Sequence, residues 1–180
     1  MKVLGIFLAL GLGATAANAQ LDVNSLKQTA EKGARSAGNK AGAKQLESKV
    51  NEKLLDEARK NQCAFKSGSD EFEGKCDDKV NNLFNALVDA KKTIDGAGFS
   101  GYKFEVSGHT DSTGKASSNK TLSKKRAAKI EKELVKKGIP QKEIISVGKG
   151  SEQRLDKPDD TAEKKAKNRR YELRVRLLAS

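Results

Sequence analysis

Two short stretches of this chain alternate strictly between apolar and polar side chains, and helix-patterned runs flank the first of them. Tyr102, Phe104 and Val106 alternate with Lys103, Glu105 and Ser107. Tyr171, Leu173, Val175 and Leu177 alternate with Arg170, Glu172, Arg174 and Arg176. A period of two buries one face of a strand and leaves the other polar. Between them, Ala127, Ile130, Leu134 and Val135 recur at helical spacing, ending at Lys136-Lys137-Gly138 with Pro140 beyond. Before the first strand, Val80, Leu83, Phe84, Leu87, Val88 and Ile94 form another helical face, with Asp77 or Asp78 as cap and Gly96 and Gly98 as stop. Cys63–Ser67 and Glu143–Val147 read as further strands, and Thr161–Lys167 as a short helix capped by Thr161 or Asp160. Strands alternating with helices, with one polar face, predict an α/β (α+β) two-layer sandwich: a four-stranded sheet, helices on one face, solvent on the other.

The N-terminus sets the compartment. Lys2 precedes an apolar run from Val3 to Leu12, and Ala17-Asn18-Ala19 is a small-x-small cleavage site. Residues 1–19 therefore read as a secretory signal peptide, too short and wrongly flanked to span a bilayer. No later stretch is apolar enough to cross a membrane. The segment ahead of the domain is also too short for an outer-membrane barrel, which needs at least about eight strands.

The exported chain divides near residue 61. Residues 20–61 contain no aromatic side chain and no proline, whereas the aromatics from Phe65 to Tyr171 lie beyond. Large apolar side chains make cores, so 62–180 is the expected packed domain. In the first segment, Leu26, Ala30, Ala34, Ala37 and Ala41, then Leu46, Val50, Leu54 and Ala58, recur at helical spacing, interrupted by Gly33, Gly38 and Gly42. A spacer, a dimerising arm, a partner-docking helix and a partly ordered tether all fit. Cys63 and Cys76 form an even pair in an oxidising compartment and read as a disulfide closing about 14 residues. Zinc needs more ligands than these two and the single histidine, His109, supply.

Between the strand at Tyr102 and the following helix lies Gly108-His109-Thr110-Asp111-Ser112-Thr113-Gly114, then Asn119-Lys120-Thr121-Leu122-Ser123-Lys124-Lys125-Arg126-Ala127. The loop offers a carboxylate, Asp111. The helix offers a guanidinium, Arg126, expected in its first turn. Such a pair suits a zwitterion: the carboxylate accepts from an ammonium, and the guanidinium holds a carboxylate with two parallel hydrogen bonds. The same residues also fit a duller arrangement, with Asp111 ordering its own turn and Arg126 solvated. His109 reads as a packed, hydrogen-bonded structural residue.

Gly-His-Thr-Asp followed by Asn-x-x-Leu-Ser-x-x-Arg-Ala closely resembles the C-terminal domain of the OmpA-like family, over roughly Cys63 to Leu178. Phe65-Lys66-Ser67-Gly68-Ser69 and Asn168-Arg169-Arg170 extend the resemblance. The resemblance implies a mixed sheet and non-covalent binding of peptidoglycan through the diaminopimelate of its stem peptide. By that resemblance Asp111 takes the ligand's ammonium and Arg126 its carboxylate. Asn119 and Leu122 line the pocket, Thr110 adds a hydroxyl or backbone contact, and Arg169 reaches the ligand or braces the loop.

The expectation is thus a periplasmic, cell-wall-associated binding module, peripheral to the outer membrane, that tethers an envelope partner through residues 20–61. An envelope assembly protein that self-associates or docks a partner through that helix is the alternative. A cell-wall hydrolase is disfavoured, because no paired carboxylates, metal set or Ser-His-Asp arrangement can be identified. No cofactor is expected. The net charge of +12 favours anionic partners, and export argues against nucleic acid.

Overall fold

The computed structural model describes residues 40–178. The expected signal peptide and the segment 20–39 lie outside the described residues. Four α-helices and three strands follow one another: α1 (Lys40–Lys60), α2 (Asp77–Gly96), β1 (Tyr102–His109), α3 (Ala116–Lys137), a 3-10 turn (Gln141–Glu143), β2 (Ile144–Gly150), α4 (Ala162–Asn168) and β3 (Tyr171–Leu177). The sheet order is β2-β1-β3, with β1 parallel to β2 and antiparallel to β3. The sheet is mixed, as the resemblance implies.

The alternating residues explain the layers. Phe104, Val106, Leu173 and Val175 pair across β1 and β3 and are buried, against α3 and α1. Val80, Leu83, Leu87 and Ile94 of α2, and Ala127, Ile130 and Leu134 of α3, complete the core. The helix α3 lies very close to the sheet. A Cβ on Gly108 would sit 2.1 Å from the Ser123 carbonyl oxygen, and one on Gly148 would sit 2.6 Å from that of Lys120. Glycine at these two places admits the helix backbone and fixes the height of its N-terminal half over the site.

Three expectations need correction. The sheet has three strands, not four. Residues Cys63–Ser67 form no strand; Phe65 makes a single antiparallel bridge to Phe72. The outer edge of β3 that a fourth strand could use is already bonded by side-chain amides. Asn51 donates to the Val175 carbonyl (3.0 Å) and accepts from the Val175 amide (2.7 Å). Gln62 does the same for Tyr171, at 2.9 and 3.1 Å. These two residues mimic a strand's backbone groups.

The packed body also includes α1, well ahead of residue 62. Leu46, Val50, Leu54 and Ala58 of α1 are buried in the common core, so this part of the expected arm is not a free tether. Finally, the face of the sheet away from the helices is not simply wet. Glu105 and Glu172 are buried there under cations: Lys149 and Arg176 at 3.5 and 3.4 Å from Glu105, Arg170 and Arg174 at 2.7 and 3.1 Å from Glu172.

Smaller details agree or shift by a residue. Thr161 caps α4, its hydroxyl accepting from the Lys164 amide, and Gly138 ends α3 with a positive φ of 119°. The cap of α2 is Cys76; Asp77 and Asp78 sit in the first turn, where carboxylates suit the helix dipole.

Candidate functional site

The site is assembled from the loop after β1, the middle of α3, the end of α4 and a small hairpin. The Cys63–Cys76 disulfide closes that hairpin, within which Lys66 and Glu73 amides bond the Glu71 and Ala64 carbonyls. Arg126 leaves α3 toward it. Its Nε donates to the Ser69 carbonyl (2.8 Å) and its Nη2 to that of Lys66 (3.2 Å). The guanidinium carbon sits 5.1 Å from the centre of the Phe65 ring. Arg126 is thereby 8% exposed, and Nη1 has no acceptor among the described residues. Helix α3 starts at Ala116, so Arg126 lies about three turns in, not in the first turn. The helix N-terminus therefore faces the Asp111 loop rather than Arg126.

Asp111 is equally buried, at 8%. Its Oδ1 accepts from the Thr113 amide (2.9 Å), a local turn bond, and its Oδ2 accepts from Arg169 Nη1 (2.7 Å). Burial pushes the Asp111 carboxyl up, but the Arg169 and Thr113 bonds outweigh it and hold the group below the ordinary carboxylate range. Burial and the Arg169 guanidinium push Arg126 down, against the pull of Asp111 and Asp70. Arg169 and Asp111 form a direct ion pair, and Arg126 feels the charge of both. Arg126 makes no hydrogen bond to Asp111 itself.

The remaining expected residues take different places. Asn119, in the first turn of α3, donates to the Thr113 carbonyl (3.0 Å) and braces the loop from inside. Thr110 is buried; its amide bonds Gly150, and its hydroxyl has no partner among the described residues. Leu122 is half-buried on α3. Arg169 remains 45% exposed at its side chain while bonded to Asp111. His109 is packed as expected, but neither ring nitrogen has a hydrogen-bond partner among the described residues, and Glu172 lies 3.8 Å away.

Sequence reading assigns no role to Asp159 and little to Asn168, yet these hold the loops in register. The Ser112 amide and hydroxyl both donate to Asp159, at 2.8 and 2.6 Å. Asn168, fully buried, donates to Asp159 and to the Asp156 carbonyl while accepting from the Leu155 amide. The Ser112 and Asn168 bonds hold the Asp159 carboxyl well below its usual range. The pair joins the Asp111 loop to the end of α4 and so delivers Arg169. The Asn168-Arg169-Arg170 run was the one signal for it; Asp159 sits in a polar loop among other acidic residues and carries none.

Chemically, a carboxylate offers about four acceptor sites and a guanidinium five donors. Described contacts use two of each at Asp111 and Arg126. The cluster can therefore accept an ammonium beside Asp111 and donate to a carboxylate beside Arg126, with Arg169 adding positive charge.

A model of the OmpA family matches residues 64–169, more than half of the chain. Outer membrane porin F of Pseudomonas fluorescens is 38% identical over 96 residues, which are 53% of this chain and 29% of that protein. Outer membrane protein A of Bordetella avium is 41% identical over 68 residues, 38% of this chain and 34% of that protein. The chain spans about a third of the length of these relatives. Among solved structures, the periplasmic domain of Helicobacter pylori MotB superposes with a TM-score of 0.54 at 20% identity, over 65% of this chain and 77% of that one. The peptidoglycan-associated lipoprotein from Burkholderia pseudomallei gives 0.53 at 19%, over 67% and 93%. At such identities the likeness is one of fold. The matched span runs from the disulfide hairpin to Arg169, and over it this chain belongs to the OmpA family.

Proposed function

We propose that this chain binds peptidoglycan non-covalently, gripping the free amino-acid end of diaminopimelate in the stem peptide, and so holds an envelope partner to the wall. It is a binding module of the periplasmic side of the envelope, not an enzyme. One observation supports the reading: Asp111 and Arg126 are both buried and of opposite charge, each is held in place by other residues, and each has bonding capacity left over. Membership of the OmpA family and a fold shared with a protein named as peptidoglycan-associated support it. No helix among the described residues is long and apolar enough to cross a membrane. Residues ahead of Lys40 remain for the partner.

Hydrogen bonds to charged groups contribute roughly 1.5–3 kcal/mol each, and association costs take much of that back. Single contacts are therefore weak, which suits a polymer that presents the same peptide many times. The test is cosedimentation with purified sacculi. Asp111→Ala and Arg126→Ala should keep the wild-type circular dichroism spectrum and stay in the supernatant, while the wild-type chain pellets. Pelleting of both variants at the wild-type level would remove the site.

A further inference from the structure

Between the disulfide hairpin, the start of α2 and the second half of α3 lies a groove of about 660 Å³ that the proposed grip does not use. Phe72 and Val80 form an apolar floor, and Lys75, Lys129, Lys136 and Lys137 stand around it. On α3 its lining residues, Lys129 to Lys137, follow Arg126. The guanidinium of Arg126 sits over Phe65, the ammonium of Lys129 sits 5.1 Å from the centre of Phe72, and the two rings are 5.3 Å apart. Lys129 follows Arg126 by three residues, hence on the same helix face.

The charges of the groove are unevenly matched. Its two acids are Asp77 and Glu133. Glu133 is bonded by Lys129 (3.0 Å) and Lys136 (3.1 Å). Burial pushes its carboxyl up, but these two lysines hold it below the ordinary range. Lys75 and Lys137 form no ion pair among the described residues. With an apolar floor and surplus cations, the groove fits an aliphatic chain that ends in a carboxylate.

We propose that this groove is a second subsite, reading the free α-carboxylate of the γ-linked glutamate joined to diaminopimelate in the same stem peptide. The inference rests on the reading given under Proposed function. From the clasped carbon of diaminopimelate to the α-carbon of that glutamate is nine bonds, about 11 Å when extended. From Arg126 to Glu133, α3 rises about 10 Å. A peptide clasped at Arg126 and laid along α3 brings that carboxylate to the level of Glu133, where Lys137 and Lys75, the lysines without an ion pair among the described residues, receive it. The methylenes of diaminopimelate lie on Phe72.

The test compares two dipeptides by calorimetric titration of the full chain: γ-glutamyl-diaminopimelate with its α-carboxylate free, and the same peptide with that group as a carboxamide. The free acid should bind about three- to tenfold more tightly, the range of one or two partly exposed ionic contacts. The double variant Lys75→Gln, Lys137→Gln should erase that difference while binding diaminopimelate alone as the wild type does. Equal affinities of the two peptides for the wild-type chain would overturn the subsite. So would a double variant that weakens diaminopimelate alone as much as the dipeptide. Failure of the wild-type chain to bind diaminopimelate at all would overturn the underlying grip, and the subsite with it.

Discussion

Arg126 is held from behind. Two backbone carbonyls and an aromatic ring fix its guanidinium before any ligand arrives, so little side-chain freedom is left to lose on binding. A lysine there could not keep two carbonyls and still present a planar fork. His109, one residue beyond Gly108 on β1, shows what burial costs when no hydrogen bond compensates. Burial and the nearby Arg170 lower its pKa to about 4, with Glu172 pulling the other way. The folded protein thus holds the imidazole neutral more strongly than the unfolded chain, whose histidine titrates near about 6.5. The associated stability is complete above about pH 6.5 and is lost as the pH falls toward 4. Urea titrations at pH 7.5 and 4.5 check this. His109→Asn should lose less stability between the two than the wild type does, and an equal loss would show that His109 is not the group responsible.

At the scale of elements, the edge of β3 is the informative place. An unpaired edge invites a further strand from the same chain or another, and Asn51 and Gln62 close it with amide groups that copy a backbone. Asn51→Ala leaves a backbone donor and acceptor of Val175 without partners and should cost about 1–3 kcal/mol, read from the denaturation midpoint. A change under about 0.5 kcal/mol would mean that water replaces the amide without loss. The same place shows where sequence reading stops. The strands β1 and β3 could be read because each buries one face against helices, which imposes a period of two. The missing fourth strand could not, because the residues that replace it lie 124 and 109 positions from their partners. Asp111 and Arg126 were readable as a carboxylate and a guanidinium flanking one loop. That Arg169 bonds Asp111 across 58 positions, and that Ser69 and Lys66 carbonyls hold Arg126, required the fold.

For the molecule as a whole, α1 belongs to the packed body. Its stripe of Leu46, Val50, Leu54 and Ala58 was visible at helical spacing, but the surface it covers was not, since that surface is the C-terminal strand. Burying its three larger side chains contributes about 2 kcal/mol each, comparable in sum with the whole stability of an ordinary domain. Residues 40–180 should melt cooperatively, while 62–180 should show no cooperative transition by circular dichroism. A cooperative melt of 62–180 at the same temperature would place α1 outside the folding unit. The chain's net charge of +12 draws any anionic polymer toward it without selecting one; on the proposed reading, selection falls to Asp111 and Arg126. The most direct measurement titrates the full chain with two stem peptides that differ only in diaminopimelate against lysine. Lysine keeps the ammonium and lacks the second carboxylate. If the cluster clasps both charges, the lysine peptide binds at least about tenfold more weakly, and Arg126→Ala abolishes the difference. Equal binding of the two peptides would contradict the clasp.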